Sequence, residues 1–106
     1  MSCKIVTLPN FEKEAKRLKK RFPKIKNDIK NLVEELYKTP TLGISLGNGF
    51  YKIRVANSSV PTGKSGGFRV ITYYKYNDTI YLVTIYSKSD EDSILIEKLK
   101  QLIKEI

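Results

Sequence analysis

The chain is 106 residues long, with 41% hydrophobic and 29% charged side chains. This suits one globular domain over residues 1–106 and excludes a disordered segment. Lys and Arg number 20 against 11 Asp and Glu, and the net charge of +9 favours a polyanionic partner. Histidine is absent, which excludes imidazole chemistry; Cys3 is the only cysteine, which excludes an intrachain disulfide or a cysteine-based zinc cluster.

Lys4–Leu8 reads as an opening strand. Its apolar run stops at Pro9, too short for a signal-peptide core or a membrane span. With one free thiol and no export signal, a cytoplasmic location and no membrane role are expected. Pro9-Asn10 offers a helix N-cap, with Glu12 and Glu14 in the first turn and Lys19, Lys20 and Arg21 in the last, as the helix dipole favours. Phe11, Ala15, Leu18 and Phe22 form one apolar stripe of this helix, and Pro23 ends it. A second stripe, Ile25, Ile29, Leu32, Val33 and Leu36, predicts another helix ending before Pro40, so the two make a helical hairpin.

The period then changes to two. A Gly-containing loop is expected over Thr41–Gly49, a strand over Phe50–Val55 and a second loop over Ala56–Gly67. Strands follow over Phe68–Tyr76 and Thr79–Ser87, turning at Asn77-Asp78. Ser89-Asp90-Glu91-Asp92 resembles a capping box opening a last helix, with Leu95, Leu99, Leu102 and Ile106 on its stripe. The order β-α-α-β-β-β-α, with its later strands antiparallel, is an α+β domain.

The charge is unevenly spread: +6 over residues 1–38, +5 over 39–75 and −2 over 76–106. No carboxylate occurs between Glu35 and Asp78, so Lys52, Arg54, Lys64 and Arg69 have no local counter-charge in sequence. Lys52 and Arg54 lie two apart on a strand and share a face, and Tyr86 and Lys88 share parity on another. If these strands are neighbours, the cations converge on one surface suited to phosphate. Gly63-Lys64-Ser65-Gly66-Gly67 is not a nucleoside-triphosphate loop, because Ser58 stands where the first Gly is needed and a strand follows instead of a helix. Backbone amides of Ser65, Gly66 and Gly67, with Lys64, are candidates for gripping an RNA phosphate; the bland alternative is a solvated loop between strands. Most of Tyr73, Tyr74, Tyr76, Tyr81 and Tyr86 are expected in the core, because strands favour aromatics whatever the function. Lys13, Lys16, Lys19, Lys20 and Lys24 read as a solvated helix face. Asp90, Glu91 and Asp92 read as helix-capping, with no metal site and no cofactor expected.

The stretches Phe50-Tyr51-Lys52-Ile53-Arg54, Gly63–Ile71 and Ile85-Tyr86-Ser87-Lys88, in that order and spacing, resemble the RelE/HigB superfamily of type II toxin–antitoxin toxins, above all its HigB-like branch. The resemblance covers nearly the whole chain. It implies a RelE-like fold and a ribosome-dependent endoribonuclease, an mRNA interferase that inhibits translation. It implies as partners the ribosome, messenger RNA and a cognate antitoxin, acidic or of helix-turn-helix type, with operator DNA reached only through the antitoxin complex. Family catalytic positions match at Lys52, Arg54, Arg69 and Lys88, with Tyr86 a substitute candidate for the acid. Ser89 and Leu95 depart from the RelE pattern, where an Arg and a Tyr stand. Without histidine, the roles of base and acid fall to Lys or Tyr: Lys52 as base or principal electrostatic residue, Arg54 and Arg69 as phosphate clamp, and Lys88 or Tyr86 as acid. No metal is needed, since RNA carries its own nucleophile. Two alternatives stay open: a ParE-like gyrase poison of the same fold, and a non-catalytic RNA- or ribosome-binding module.

Overall fold

A computed structural model describes residues 3–60, 67–75, 78–88 and 94–104. In chain order the elements are β1 (Lys4–Thr7), α1 (Pro9–Lys19), α2 (Ile25–Lys38), β2 (Ile44–Gly47), β3 (Phe50–Val55), β4 (Phe68–Lys75), β5 (Thr79–Ser87) and α3 (Ile96–Leu102). The strands form one sheet in the order β1-β5-β4-β3-β2, with β1 parallel to β5 and every other neighbour antiparallel. This is the expected α+β arrangement with one strand more.

The extra strand is β2, which lies inside the segment Thr41–Gly49 that was expected to be a loop. It returns into β3 through Asn48-Gly49, both with positive φ (56° and 86°), between the paired residues Gly47 and Phe50. A two-residue turn of this kind matches the twist of a hairpin, and Asn-Gly is its strongest sequence signal.

The two helical stripes behave as their spacing predicts. Phe11 and Leu18 on α1, and Ile25, Leu32 and Leu36 on α2, are buried against Ile53, Phe68, Val70, Ile80, Leu82 and Ile85 of the sheet. Asn10, however, does not cap α1. Leu8 occupies the N-cap with Pro9 in the first turn, where a missing N–H leaves no bond unmade. The Asn10 amide donates instead to the Val83 carbonyl at 3.3 Å.

The other face of the sheet carries a smaller core. Phe50, Ile71, Val83 and Tyr86 are buried there under Leu99 of α3, with Tyr73, Tyr81 and Leu102 packed against them. Helix α3 begins later than its apolar stripe suggested. Leu95 is its N-cap, and at 75% exposed it is not a core residue. The supposed capping box, Ser89-Asp90-Glu91-Asp92, lies outside the described residues, as do Tyr76 and Ile106. Of the tyrosines, Tyr74 packs with the larger core, and Tyr73, Tyr81 and Tyr86 with the smaller one.

Candidate active site

The face under α3 is organised in rows that run across the strands, because directly paired residues share a face. One row is Phe50–Tyr73–Tyr81, with ring centroids 5.2 and 6.2 Å apart. The next is Lys52–Ile71–Thr84. The last, at the end of the sheet nearest the 56–67 loop, is Arg54–Arg69–Tyr86. Neighbouring strands are about 4.8 Å apart, so the backbone positions of Arg54 and Tyr86 lie about 10 Å from each other with Arg69 between them.

The third residue of that last row depends on an irregularity in β5. Ile71 pairs with Thr84 but Thr72 pairs with Leu82, so Val83 is an extra residue with no partner position on β4. Such a bulge advances the register by one. It sets Tyr86 opposite Arg69, and it returns Val83 to the same face as Ile71 and Phe50.

The candidate side chains differ in exposure. Arg54 and Lys88 are exposed and Lys52 is half-buried. Arg69 and Tyr86 are only 4% and 5% exposed. Arg69 donates through Nη1 to the carbonyl of Phe68 at 3.2 Å, as a desolvated guanidinium requires. Two arginines directly opposite on neighbouring strands repel one another, an arrangement that an anion between them would favour. Among the described residues, no carboxylate lies within ion-pair distance of Lys52, Arg54 or Lys88; the pair present there is Arg17 with Glu14. Lys52 and Arg54 also border a second cavity, about 710 Å³, between α2 and β3, and Asp28 and Glu35 stand on its far wall. Asp28 is buried and accepts the Ser58 N–H at 3.1 Å, which ties the loop after β3 to α2.

The loop expected to grip phosphate is described only at its ends. Lys64, Ser65 and Gly66 lie outside the described residues. Gly67 is buried; its carbonyl accepts the Lys88 N–H at 3.1 Å, which fastens the end of β5 to the start of β4. A Cβ at Gly67 would stand 2.1 Å from the carbonyl oxygen of Val55, so only glycine fits there. Ser89, one of the two departures from the RelE pattern, is outside the described residues; the other, Leu95, points into solvent at the start of α3. Among the described residues, no group of three Asp, Glu, Cys or His side chains is placed to hold a metal ion. No helix among them is long and apolar enough to cross a membrane.

The model of the family described as "RelE toxin of RelE / RelB toxin-antitoxin system" matches residues 4–106. The chain belongs to the RelE toxin family. Membership makes it a toxin of a toxin–antitoxin system and implies an antitoxin partner. Its fold is similar to a solved structure of the E. coli RelE toxin in the free state, carrying two arginine-to-alanine replacements. The TM-score is 0.63 at 14% identity, over 100% of this chain and 99% of the other. No curated protein sequence gives a significant match. In this RelE-family chain, the strand cations that suggested the family, Lys52, Arg54 and Arg69, lie in adjacent rows of one sheet face. Sequence reasoning did not find that Tyr86 pairs with Arg69, because the pairing depends on the bulge at Val83.

Proposed function

We propose that this toxin is a ribosome-dependent endoribonuclease of the HigB-like branch. In this reading it acts in the cytoplasm as a single domain and is neutralised by a cognate antitoxin, through which alone it meets operator DNA. The observation that carries the reading is the row Arg54–Arg69–Tyr86 with Lys52 in the row beside it, all on one face. Arginines at two directly paired positions suit a phosphodiester laid across that row, since each guanidinium offers paired donors to phosphate oxygens.

The reaction needs no group beyond the RNA and the side chains. The ribose 2′-oxygen attacks the adjacent phosphorus while its proton passes to the Lys52 amine. Arg54 and Arg69 stabilise the additional negative charge on the phosphorane. The bond from phosphorus to the 5′-oxygen breaks, and Tyr86 or Lys88 delivers a proton to that oxygen. The products are a 2′,3′-cyclic phosphate and a 5′-hydroxyl end. Lys64 and the amides of Ser65 to Gly67 would hold the flanking backbone. An acid–base set of lysine and tyrosine is weak at neutral pH, so the ribosome's part is to orient the message.

The test is message cleavage in a translating extract, with Arg69→Ala and Arg54→Ala beside the parent. Loss of cleavage and of growth arrest in both variants is expected, with the parent leaving cyclic phosphate ends. Gyrase-dependent DNA breaks without message cleavage would replace this reading by the ParE-like one. Salt-sensitive RNA binding with no cut would replace it by a non-catalytic module.

A further inference from the structure

The reactive row does not end at another strand. β1 stops at Thr7, opposite Leu82, and the Leu8 N–H makes the last backbone bond to β5, to the Leu82 carbonyl at 3.0 Å. Among the described residues, no strand pairs with the outer edge of β5 from Thr84 onward. That edge opens into a cavity of about 600 Å³ between α1 and α3, a size within the usual range of about 300–1,000 Å³ for small-molecule sites. Tyr86 belongs to both places: it is the end of the row and part of the cavity wall. The polar wall is completed by Asn10, Glu14 and Arg17 from α1, Arg21 just beyond its end, and Lys98 from α3.

The charges on that wall are of two kinds. Arg17, Arg21 and Lys98 are exposed cations at its rim. Glu14 lies deeper, its side chain 20% exposed against 70% for Arg17, which holds it at 2.7 Å. A carboxylate set into a surface that receives a polyanion repels phosphate, so its use there must be with something other than phosphate. A carboxylate paired with Arg17 accepts hydrogen bonds through its remaining lone pairs. A nucleobase with an exocyclic amino group supplies the matching donor.

We infer that this cavity seats the nucleotide immediately 3′ to the cut, with the phosphate on its 3′ side at Arg21 and Lys98 and its base read by Glu14 in favour of adenine, cytosine or guanine over uracil. The inference rests on the nuclease reading above, and the direction follows from it. Lys52 takes the 2′ proton on the β3 side and Tyr86 or Lys88 serves the leaving oxygen at the β5 side, so the leaving strand departs past β5. Uracil presents two carbonyl acceptors and one ring N–H, and its acceptors repel a carboxylate.

The experiment maps the 5′-hydroxyl ends that the full-length toxin leaves on messages in a translating extract. Glu14→Gln, Lys98→Ala and Lys13→Ala are compared with the parent, Lys13 being an exposed α1 residue outside the cavity. The parent is expected to leave few ends beginning with uracil. Glu14→Gln, which adds a donor, raises the uracil share several-fold. Lys98→Ala raises KM several-fold and leaves kcat and the base preference alone; Lys13→Ala changes none of these. If the parent cuts messages but Glu14→Gln leaves the same end profile, the cavity assignment is wrong while the nuclease reading stands. If the parent cuts no message, the nuclease reading fails and the assignment falls with it.

Discussion

The two faces of the sheet solve different problems. The face under α1 and α2 is mainly apolar: Phe68, Val70, Ile80, Leu82 and Ile85 are fully buried beneath the helical hairpin, with Thr72 and Ser87 as buried polar residues in the same rows. The face under α3 is covered over a shorter stretch, by a seven-residue helix centred on Leu99, and beyond it the same strands present Lys52, Arg54 and Arg69. One face secures the fold, and the other gives up part of its apolar cover to hold cations side by side. Residues one position apart on a strand therefore have different tasks: Ile53 is core, while Lys52 and Arg54 flank it on the charged side.

Truncation on each face should separate these tasks. Leu36→Ala empties a fully buried site under the hairpin and should lower unfolding free energy by about 2–5 kcal/mol in denaturant titration. Cleavage per folded molecule should be unchanged. On the charged side, Arg54→Ala removes an exposed group and should leave thermal stability nearly unaltered, while message cleavage falls on the order of 10²-fold. If the Leu36 variant lost activity per folded molecule, or the Arg54 variant lost stability instead of activity, the division between the faces would be wrong. At the seam between loop and site, Gly67→Ala forces a Cβ against the Val55 carbonyl and should destabilise the fold by more than about 1 kcal/mol, with a matching fall in thermal midpoint.

The smallest effect belongs to the far end of β4. The Tyr74 hydroxyl donates to Asp78 Oδ1 at 3.1 Å. That hydrogen bond, with partial desolvation and the carboxylate's charge, raises the phenol's pKa above its ordinary value. A raised pKa in the folded state means that the associated stability is fully present below the ordinary tyrosine range and is lost as pH rises through the raised value. Asp78→Asn should bring tyrosinate formation at Tyr74 back toward the ordinary pH in a spectrophotometric titration, with no effect on cleavage.

Much of the fold was legible because apolar spacing maps directly onto a face. Phe11, Leu18, Ile25, Leu32 and Leu36 form two stripes with a period near 3.6, and all are buried. The strand β2 was hidden by its shortness and its glycine, although Asn48-Gly49 marked the hairpin. The start of α3 was misread because Leu95 fits the stripe by spacing but stands at the cap, where no neighbour covers it. For the site, the shared parity of Lys52 and Arg54 follows from the strand period alone. The adjacency of Arg54, Arg69 and Tyr86 does not, because it is set by the long-range register of three strands.

The bulge at Val83 gives that register a consequence for how such a toxin can fall silent. With the bulge ironed out and Val83 still in the chain, the pairing that begins at Thr79 would run on unbroken, and Ile85 would come to lie across from Arg69 while Tyr86 turned to the opposite side of the sheet. Every lysine and arginine of the site would still be present. A one-residue slip of β5 would thus disarm the protein without touching any residue that a survey of active-site substitutions would inspect.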